Sequence, residues 1–270
     1  MSAVPQPLHR GGERAATQLY ELGVRRGGVL LVHASMRSVG GDADSMAAAL
    51  RAALGPEGTV VVPAFTPENS DTSRSYLQRV RGLGVEARAA VRAAMPAFDP
   101  AVTPAPTMGA LAEAVRRAPG ALRSTHPQTS FAALGPAAGQ LLAGHRRDCH
   151  LGEESPLARL YEADAQVLLL GTGFDSCTAF HLAEYRRPGP PRRLYRCVVA
   201  AEGTGGLWWE YEDIALDDSD FAALGDDFVR ARADAVGTGG VGAARSRLFP
   251  LRAAVDFAAQ WLQDHRADGC

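Results

Sequence analysis

Val167-Leu-Leu-Leu170-Gly171-Thr-Gly-Phe-Asp-Ser-Cys-Thr-Ala-Phe-His-Leu-Ala-Glu184 is the stretch on which the fold turns. An apolar run with the length of a buried strand enters a glycine-rich turn, and the turn opens into a helical pattern. On that helix Thr178, His181 and Glu184 recur every three residues, so their side chains share a face just beyond the end of the strand. Ligand sites in open α/β sheets lie outside the carboxyl ends of strands, so a titratable pair delivered there points to a cleft. The plainer alternative is a capped helix, with Asp175 as N-cap and His181 as a partly buried, hydrogen-bonded histidine.

Outward from this stretch, helix and strand signals alternate. Glu13 to Leu22 reads as an amphipathic helix ended by Gly23, and Val29 to Val32 as a short buried strand that breaks into a loop running from His33 to Gly41. A helix from Asp44 to Leu54 stops at the turn Gly55-Pro-Glu-Gly58, and Thr59 to Val62 is the next strand. Pro63 to Pro106 is a long polar excursion with one helical patch, Val85 to Met95, and excursions of that length in a compact domain usually serve function. Met108 to Arg117 and Ala137 to Leu142 are predicted helical, Ser130 to Leu134 extended. From Leu194 the pattern turns antiparallel, with Tyr195 to Ala201 and Leu207 to Tyr211 flanking the turn Gly203-Thr-Gly-Gly206. Arg252 to His265 closes the pattern as a helix. The expectation is an α/β fold whose sheet is mixed and partly antiparallel.

The chain has 270 residues, 46% of them hydrophobic and 21% charged, a balance that suits a single domain over residues 1–270 with a substantial core. A net charge of -2 provides no basic field for nucleic acid or an anionic membrane surface. No lysine occurs, which excludes Schiff-base and P-loop lysine chemistry. Cys149, Cys177, Cys197 and Cys270 form no C-x-x-C pair, so reduced thiols are the simpler reading. Met1 to Gly12 lacks the apolar region of a signal peptide, and no apolar run reaches the ~20 residues of a membrane span, so a cytoplasmic location is expected.

Several motifs weigh less than they promise. Gly237-Thr-Gly-Gly-Val-Gly242 fits G-x-G-x-x-G but follows a charged helical segment, and too little chain remains for a βαβ unit; a flexible turn is expected. His145, Cys149 and His150 lie close together beside two arginines without a fourth ligand, which reads as a surface helix end rather than a zinc site, and no metal is expected. No G-x-S-x-G elbow occurs, although Cys177 and His181 at i, i+4 leave a thiol acyl-enzyme as a minor alternative. The loop Ser35-Met36-Arg37-Ser38-Val39-Gly40-Gly41 lies between a buried strand and a helix start, where main-chain N–H groups can receive an anion such as pyrophosphate.

Taken in order, His33 to Gly40, Leu54-Gly-Pro-Glu-Gly-Thr59, Pro63-Ala-Phe-Thr66, Phe98-Asp-Pro, Thr103-Pro, Met108-Gly109, Arg123-Ser-Thr-His-Pro127, Ser155-Pro-Leu157 and Thr178 to Glu184 resemble the aminoglycoside 3-N-acetyltransferase family over nearly the whole chain. The resemblance implies a three-layer α/β/α sandwich and N-acetylation dependent on acetyl-coenzyme A. It places Ser35 to Gly41 at the coenzyme phosphates, with Thr107, Ser124 and His126 near the pantetheine or nucleotide. His181 corresponds to the catalytic histidine, Glu184 to the acid beside it and Thr178 to the hydroxyl one turn earlier.

The chemistry of the residues agrees. Acetyl transfer from a thioester to a neutral amine needs an acceptor for the amine proton, a task suited to His181 near neutral pH. Glu184 orients the imidazole, stabilises the imidazolium or binds an ammonium, and Thr178 can donate to the thioester oxygen as charge develops. Glu68, Asp71, Glu210, Glu212 and Asp213 are the carboxylates available to attract a polycationic aminoglycoside. The expected partners are coenzyme A and a small amine, with a homodimer left open. Two alternatives stand beside this reading: an acyltransferase of the same fold acting on another amine in secondary metabolism, and a coenzyme-A-binding protein without catalysis, which has no need of the His181 and Glu184 pair.

Overall fold

The computed structural model describes residues 10–201 and 206–266. Most of the Gly203 to Gly206 turn, the start of the Met1 to Gly12 segment and Cys270 lie outside those residues. In chain order the elements are α1 (Arg10–Glu21), β1 (Val29–Ala34), α2 (Met36–Val39), α3 (Ala43–Leu54), β2 (Thr59–Pro63), α4 (Arg74–Arg79), α5 (Val85–Ala93), α6 (Ala110–Arg117), β3 (Leu122–Arg123) and β4 (Phe131–Leu134). There follow α7 (Ala138–Leu142), α8 (Pro156–Glu162), β5 (Gln166–Leu170), α9 (Ala179–Tyr185), β6 (Arg192–Val199), β7 (Leu207–Ile214), α10 (Phe221–Ala231), β8 (Gly237–Val241), β9 (Ala244–Pro250) and α11 (Leu251–His265).

The main sheet runs β3-β4-β2-β1-β5-β9-β8. Its centre is parallel, with β1 flanked by β2 and β5, and both margins are antiparallel. The central strands are apolar throughout because both faces are covered, and the strand period of two divides their side chains between two cores. Leu30, Val32, Val60, Val62, Leu168 and Leu170 point to the side packed by α1, α3 and α6. Leu31, Val61, Val167 and Leu169 point to the side packed by α7 to α11. This is the three-layer α/β/α arrangement that the resemblance implied.

The antiparallel hairpin β6–β7 forms a sheet of its own beside the main one. Two expectations change. The glycine-rich Gly237 to Gly242 run is the edge strand β8 with the turn that joins it to β9, not a flexible turn. A Cβ on Gly237 or Gly239 would come within 3.1 or 3.2 Å of Leu22, so these glycines let the end of α1 approach the sheet edge. The segment from Pro63 to Pro106 carries α4 as well as the anticipated α5, and packs Tyr76, Val80 and Met95 against Val198 of β6.

Candidate active site

β1 and β5 are parallel neighbours, but the chain leaves them for opposite faces: α3 follows β1 into one helical layer and α9 follows β5 into the other. Such a divergence opens a crevice at the carboxyl ends of the two strands. Gly171, the first residue after β5, has φ 68°, and a Cβ there would lie 2.9 Å from Ala244 and 3.1 Å from Ser38. Only glycine lets the chain pass between β9 and the Ser35 loop at this point. A single 3-10 turn, Phe174–Ser176, then leads to α9, with Thr178 rather than Asp175 at the helix boundary.

The i, i+3 spacing on α9 brings His181 Nδ1 to 2.5 Å from Glu184 Oε2. The other carboxylate oxygen, Oε1, accepts from the Asp217 main-chain N–H at 3.1 Å and from the Arg266 guanidinium. Glu184 is buried and therefore has its desolvation offset by three donors. With Nδ1 engaged, Nε2 is the His181 nitrogen left for chemistry. The ring packs on Phe221, with centroids 4.8 Å apart.

His181 lines two adjoining cavities. One, of about 320 Å³, includes His33, Thr107, Cys177 and Thr178; the other, of about 250 Å³, includes Gln128, His150 and Arg193. Phe65, Met108, His181 and Asp218 belong to both, so the imidazole stands at the junction of two chambers. His33 opens the family-like motif His33 to Gly40. It ends the apolar run of β1, is buried, and has Nε2 3.3 Å from Thr178 Oγ1. Burial, with the nearby His181 adding to it, pushes its pKa down to about 3, so at neutral pH it is an uncharged partner for the threonine hydroxyl. The available signal was a polar residue at the carboxyl end of a buried strand.

Cys177 is fully buried, and burial pushes its thiol up to about 12. With the His181 imidazole committed to Glu184 through Nδ1 and the Cys177 thiolate disfavoured, the structure gives a covalent thiol route no support. Cys177→Ser is therefore expected to retain turnover; a kinetically competent acetyl group trapped on Cys177 in the native protein would reverse that conclusion.

The remaining anticipated residues separate into groups. Thr107 joins Thr178 and His181 in the larger-lobed crevice. In the Ser35 loop, Ser35 Oγ and Ser38 Oγ lie 2.9 Å apart, and the N–H groups of Ser38, Val39 and Gly40 donate to the carbonyls of Ser35 and Met36. Arg37 is exposed, and Gly40 and Gly41 border an outer groove between α1 and α3. Ser124 and His126 do not reach either chamber. Ser124 Oγ pairs with His145 Nδ1 at 3.0 Å, and His126 Nδ1 accepts from the N–H groups of Gln128 and Thr129.

His145, Cys149 and His150 are likewise interior, correcting the reading of a surface helix end. The His126 ring stacks on that of His145 and lies tilted against that of His150, each with centroids 4.8 Å apart. Burial pushes all three pKa values down, that of His145 to about 4. They form a neutral polar core holding the hairpin to the sheet, since His150 Nδ1 donates to Asp213 and Nε2 meets Tyr211 OH.

The carboxylates expected to attract the amine differ in burial and partners. Asp71 is buried between Arg92 and Arg196, at 2.9 and 3.0 Å. Asp213 is buried and accepts from His150 N at 2.8 Å and Tyr185 OH at 2.5 Å. Burial alone would raise the Asp213 pKa, but hydrogen bonds from His150 and Tyr185 outweigh it and hold the carboxyl below its ordinary value. Glu210 and Glu212 are exposed on β7 beside Arg196 and Arg192, and Glu68 is half-buried outside both chambers. The carboxylate that lines both is Asp218, which sequence reasoning missed and which is ion-paired to Arg74.

Residues 31–263 match the aminoglycoside 3-N-acetyltransferase family. The aminoglycoside N(3')-acetyltransferase-like protein YokD of Bacillus subtilis is 38% identical over 90% of this chain and 89% of its own length. Aminoglycoside N(3)-acetyltransferase VII of Streptomyces paromomycinus is 36% identical over 93% of this chain and 91% of its own. The crystal structure of YokD has a TM-score of 0.86, covering 95% of this chain and 100% of that one. AAC-IIIb, solved as a binary complex with CoASH, has a TM-score of 0.80 at 32% identity, covering 96% of this chain and 98% of its own. The class defined by these findings is that of the acyltransferases. The chain belongs to the aminoglycoside 3-N-acetyltransferase family.

Proposed function

We propose that this enzyme moves the acetyl group of acetyl-coenzyme A directly to the 3-amino group of a 2-deoxystreptamine aminoglycoside, with His181 as general base, and so confers resistance. The observation that carries the proposal is the position of His181 at the junction of two chambers, where thioester and amine can approach one imidazole from different sides. The AAC-IIIb complex with CoASH supports coenzyme A as the acyl carrier.

In this reading the neutral amine attacks the thioester carbonyl as its proton passes to His181 Nε2. Glu184 holds the Nδ1–H and stabilises the imidazolium, while Thr178, fixed by His33, can donate to the carbonyl oxygen as it gains charge. Collapse of the intermediate breaks the carbon–sulfur bond, and coenzyme A leaves as thiolate or thiol. The coenzyme phosphates are assigned to the Ser35 to Gly41 loop, with Thr107 along the route to the reacting carbon.

Gly40 has φ 75° and open space around it, so a side chain there meets no wall but strains the backbone by ~1–2 kcal/mol. Gly40→Val is expected to raise KM for acetyl-coenzyme A several-fold with the acceptor KM unchanged; identical coenzyme titrations would remove the loop from the coenzyme site.

A second reading has one observation in its favour. With Asp71 and Asp213 committed to internal partners, the acceptor chamber presents Arg74 and Arg193 alongside Asp218, a mixed lining for a polycation. An acyltransferase for a less cationic amine fits that lining. Thiol release from acetyl-coenzyme A across a panel of aminoglycosides and simpler amines, followed by NMR location of the acetylated nitrogen, separates the two. Acetylation at the 3-amino group supports the first, and turnover restricted to other amines the second.

A further inference from the structure

Arg266 follows directly on α11 and lies beyond residue 263, where the family match ends. Its guanidinium is mostly buried, with 16% side-chain exposure, and its hydrogen bonds run to Glu184 and to the segment before α10. Nη1 donates to Glu184 Oε1. Nε and Nη2 form a fork on Asp220 at 2.7 and 2.5 Å, and Nη2 also donates to the Asp217 carbonyl at 2.6 Å. The Arg266 carbonyl in turn accepts from Arg187 Nη2 at 2.7 Å, which ties the residue to the end of α9. A planar fork of five donors suits this multiple grip in a way that an ammonium does not.

We infer that Arg266 is a positioning residue for the catalytic pair: it fixes the carboxylate of Glu184 against His181 Nδ1 and, by its positive charge on the far oxygen, opposes the pull of that carboxylate on the imidazole proton. The inference rests on the reading of His181 as general base. Its first half follows from geometry. Glu184 has one oxygen on His181 and the other on Arg266 and the Asp217 N–H, so the carboxylate plane is held from both sides. Its second half follows from charge. A lone buried carboxylate 2.5 Å from an imidazole strongly favours the imidazolium, and a cation on the far oxygen reduces that pull.

Other charges around the ring leave this task to Arg266. From the segment before α10, Asp217, Asp218 and Asp220 approach; Asp218 is neutralised by Arg74 from α4, and Asp220 is held in the Arg266 fork. His33 from β1 and His150 are kept neutral, chiefly by burial. Tyr195 of β6 donates to the Ile214 carbonyl, and Arg193 stacks over its ring in the acceptor chamber. Asp175, in the turn after β5, lines the larger chamber. Among the described residues, Arg266 is the cation bonded to Glu184.

The test is the pH titration of the His181 ring, followed by NMR on histidine-labelled protein and assigned by its loss in His181→Ala, in wild type, Arg266→Met, Arg266→Gln and Arg266→Lys. With the cation removed, Glu184 stabilises the imidazolium unopposed and the ring releases its proton at higher pH. The midpoint is expected to rise by about one pH unit in the Met and Gln variants, the lower end of the range for a close charge partner. Gln keeps an N–H donor and serves if Met does not fold. Lys, which keeps charge but not the fork, is expected to return the midpoint towards wild type while recovering kcat only partly.

An unmoved midpoint in the folded neutral variants overturns the inference, and reduces Arg266 to a clip between α11 and the segment before α10. The acid limb of kcat/KM, measured in parallel, isolates the underlying reading. If the NMR midpoint moves and the limb does not, His181 is not the base, whereas the electrostatic coupling to Arg266 stands.

Discussion

His181→Ala is expected to lower kcat by ~10²–10⁴-fold, the usual scale for loss of a general base, with coenzyme affinity and thermal stability near wild type. Stability is preserved for a specific reason. Removing one member of a buried pair is damaging when it strands the other charge. Here Glu184 keeps Arg266 and the Asp217 N–H on its second oxygen, so the carboxylate remains compensated after the imidazole is gone. Single-turnover acetyl transfer, coenzyme titration and a melting curve on the same preparation check all three parts. Near-normal turnover in the folded variant would move the base to another group, with Asp218 the nearest candidate because it lines both chambers.

The second large effect is expected from Phe221→Ala. Phe221 opens α10, is 1% exposed, meets the Phe180 ring edge-on at 5.4 Å and forms a wall of the His181 ring at 4.8 Å. Truncation leaves a cavity between α10 and the face of α9 that carries Phe180 and His181. Loss of a buried phenylalanine costs ~3–5 kcal/mol, enough to move the denaturant midpoint substantially at unchanged m-value. kcat is expected to fall as well, because His181 loses the surface that limits its rotation. Phe221→Leu retains most of the volume and should recover most of both losses. An alanine variant with the wild-type unfolding midpoint would show that α10 is not held to the core through this ring.

Burial made the difference between residues that could be read in the sequence and those that could not. The catalytic face of α9 was legible because i, i+3 spacing is a local property: once a helix follows Gly171, Thr178, His181 and Glu184 must lie together. The same holds for the central strands, where apolar runs bounded by glycine and proline left few other states. Asp71 and Asp213 read as solvent-facing acids because carboxylates on polar segments usually are. Their actual partners are remote: Arg196 lies 125 residues from Asp71, and His150 lies 63 residues from Asp213. His145 and His150 read as a surface helix end for the same reason, since nothing local indicates that they will gather with His126 beneath a hairpin.

The sequence by itself thus determined the α/β alternation, the strand that leads into the crevice and the pairing of His181 with Glu184, all of which rest on periodicity within a few turns of chain. Tertiary structure alone decided what surrounds that pair. It brought His33 to Thr178 across 145 residues and Arg266 to Glu184 across 82, and it removed Asp71 and Asp213 from solvent while leaving Asp218 at the junction of the chambers. The physical reason is that helix and strand patterns reflect short-range sterics and burial, whereas the protonation and orientation of a catalytic group depend on charges and dipoles a few ångströms away, whose proximity is fixed only when the layers pack.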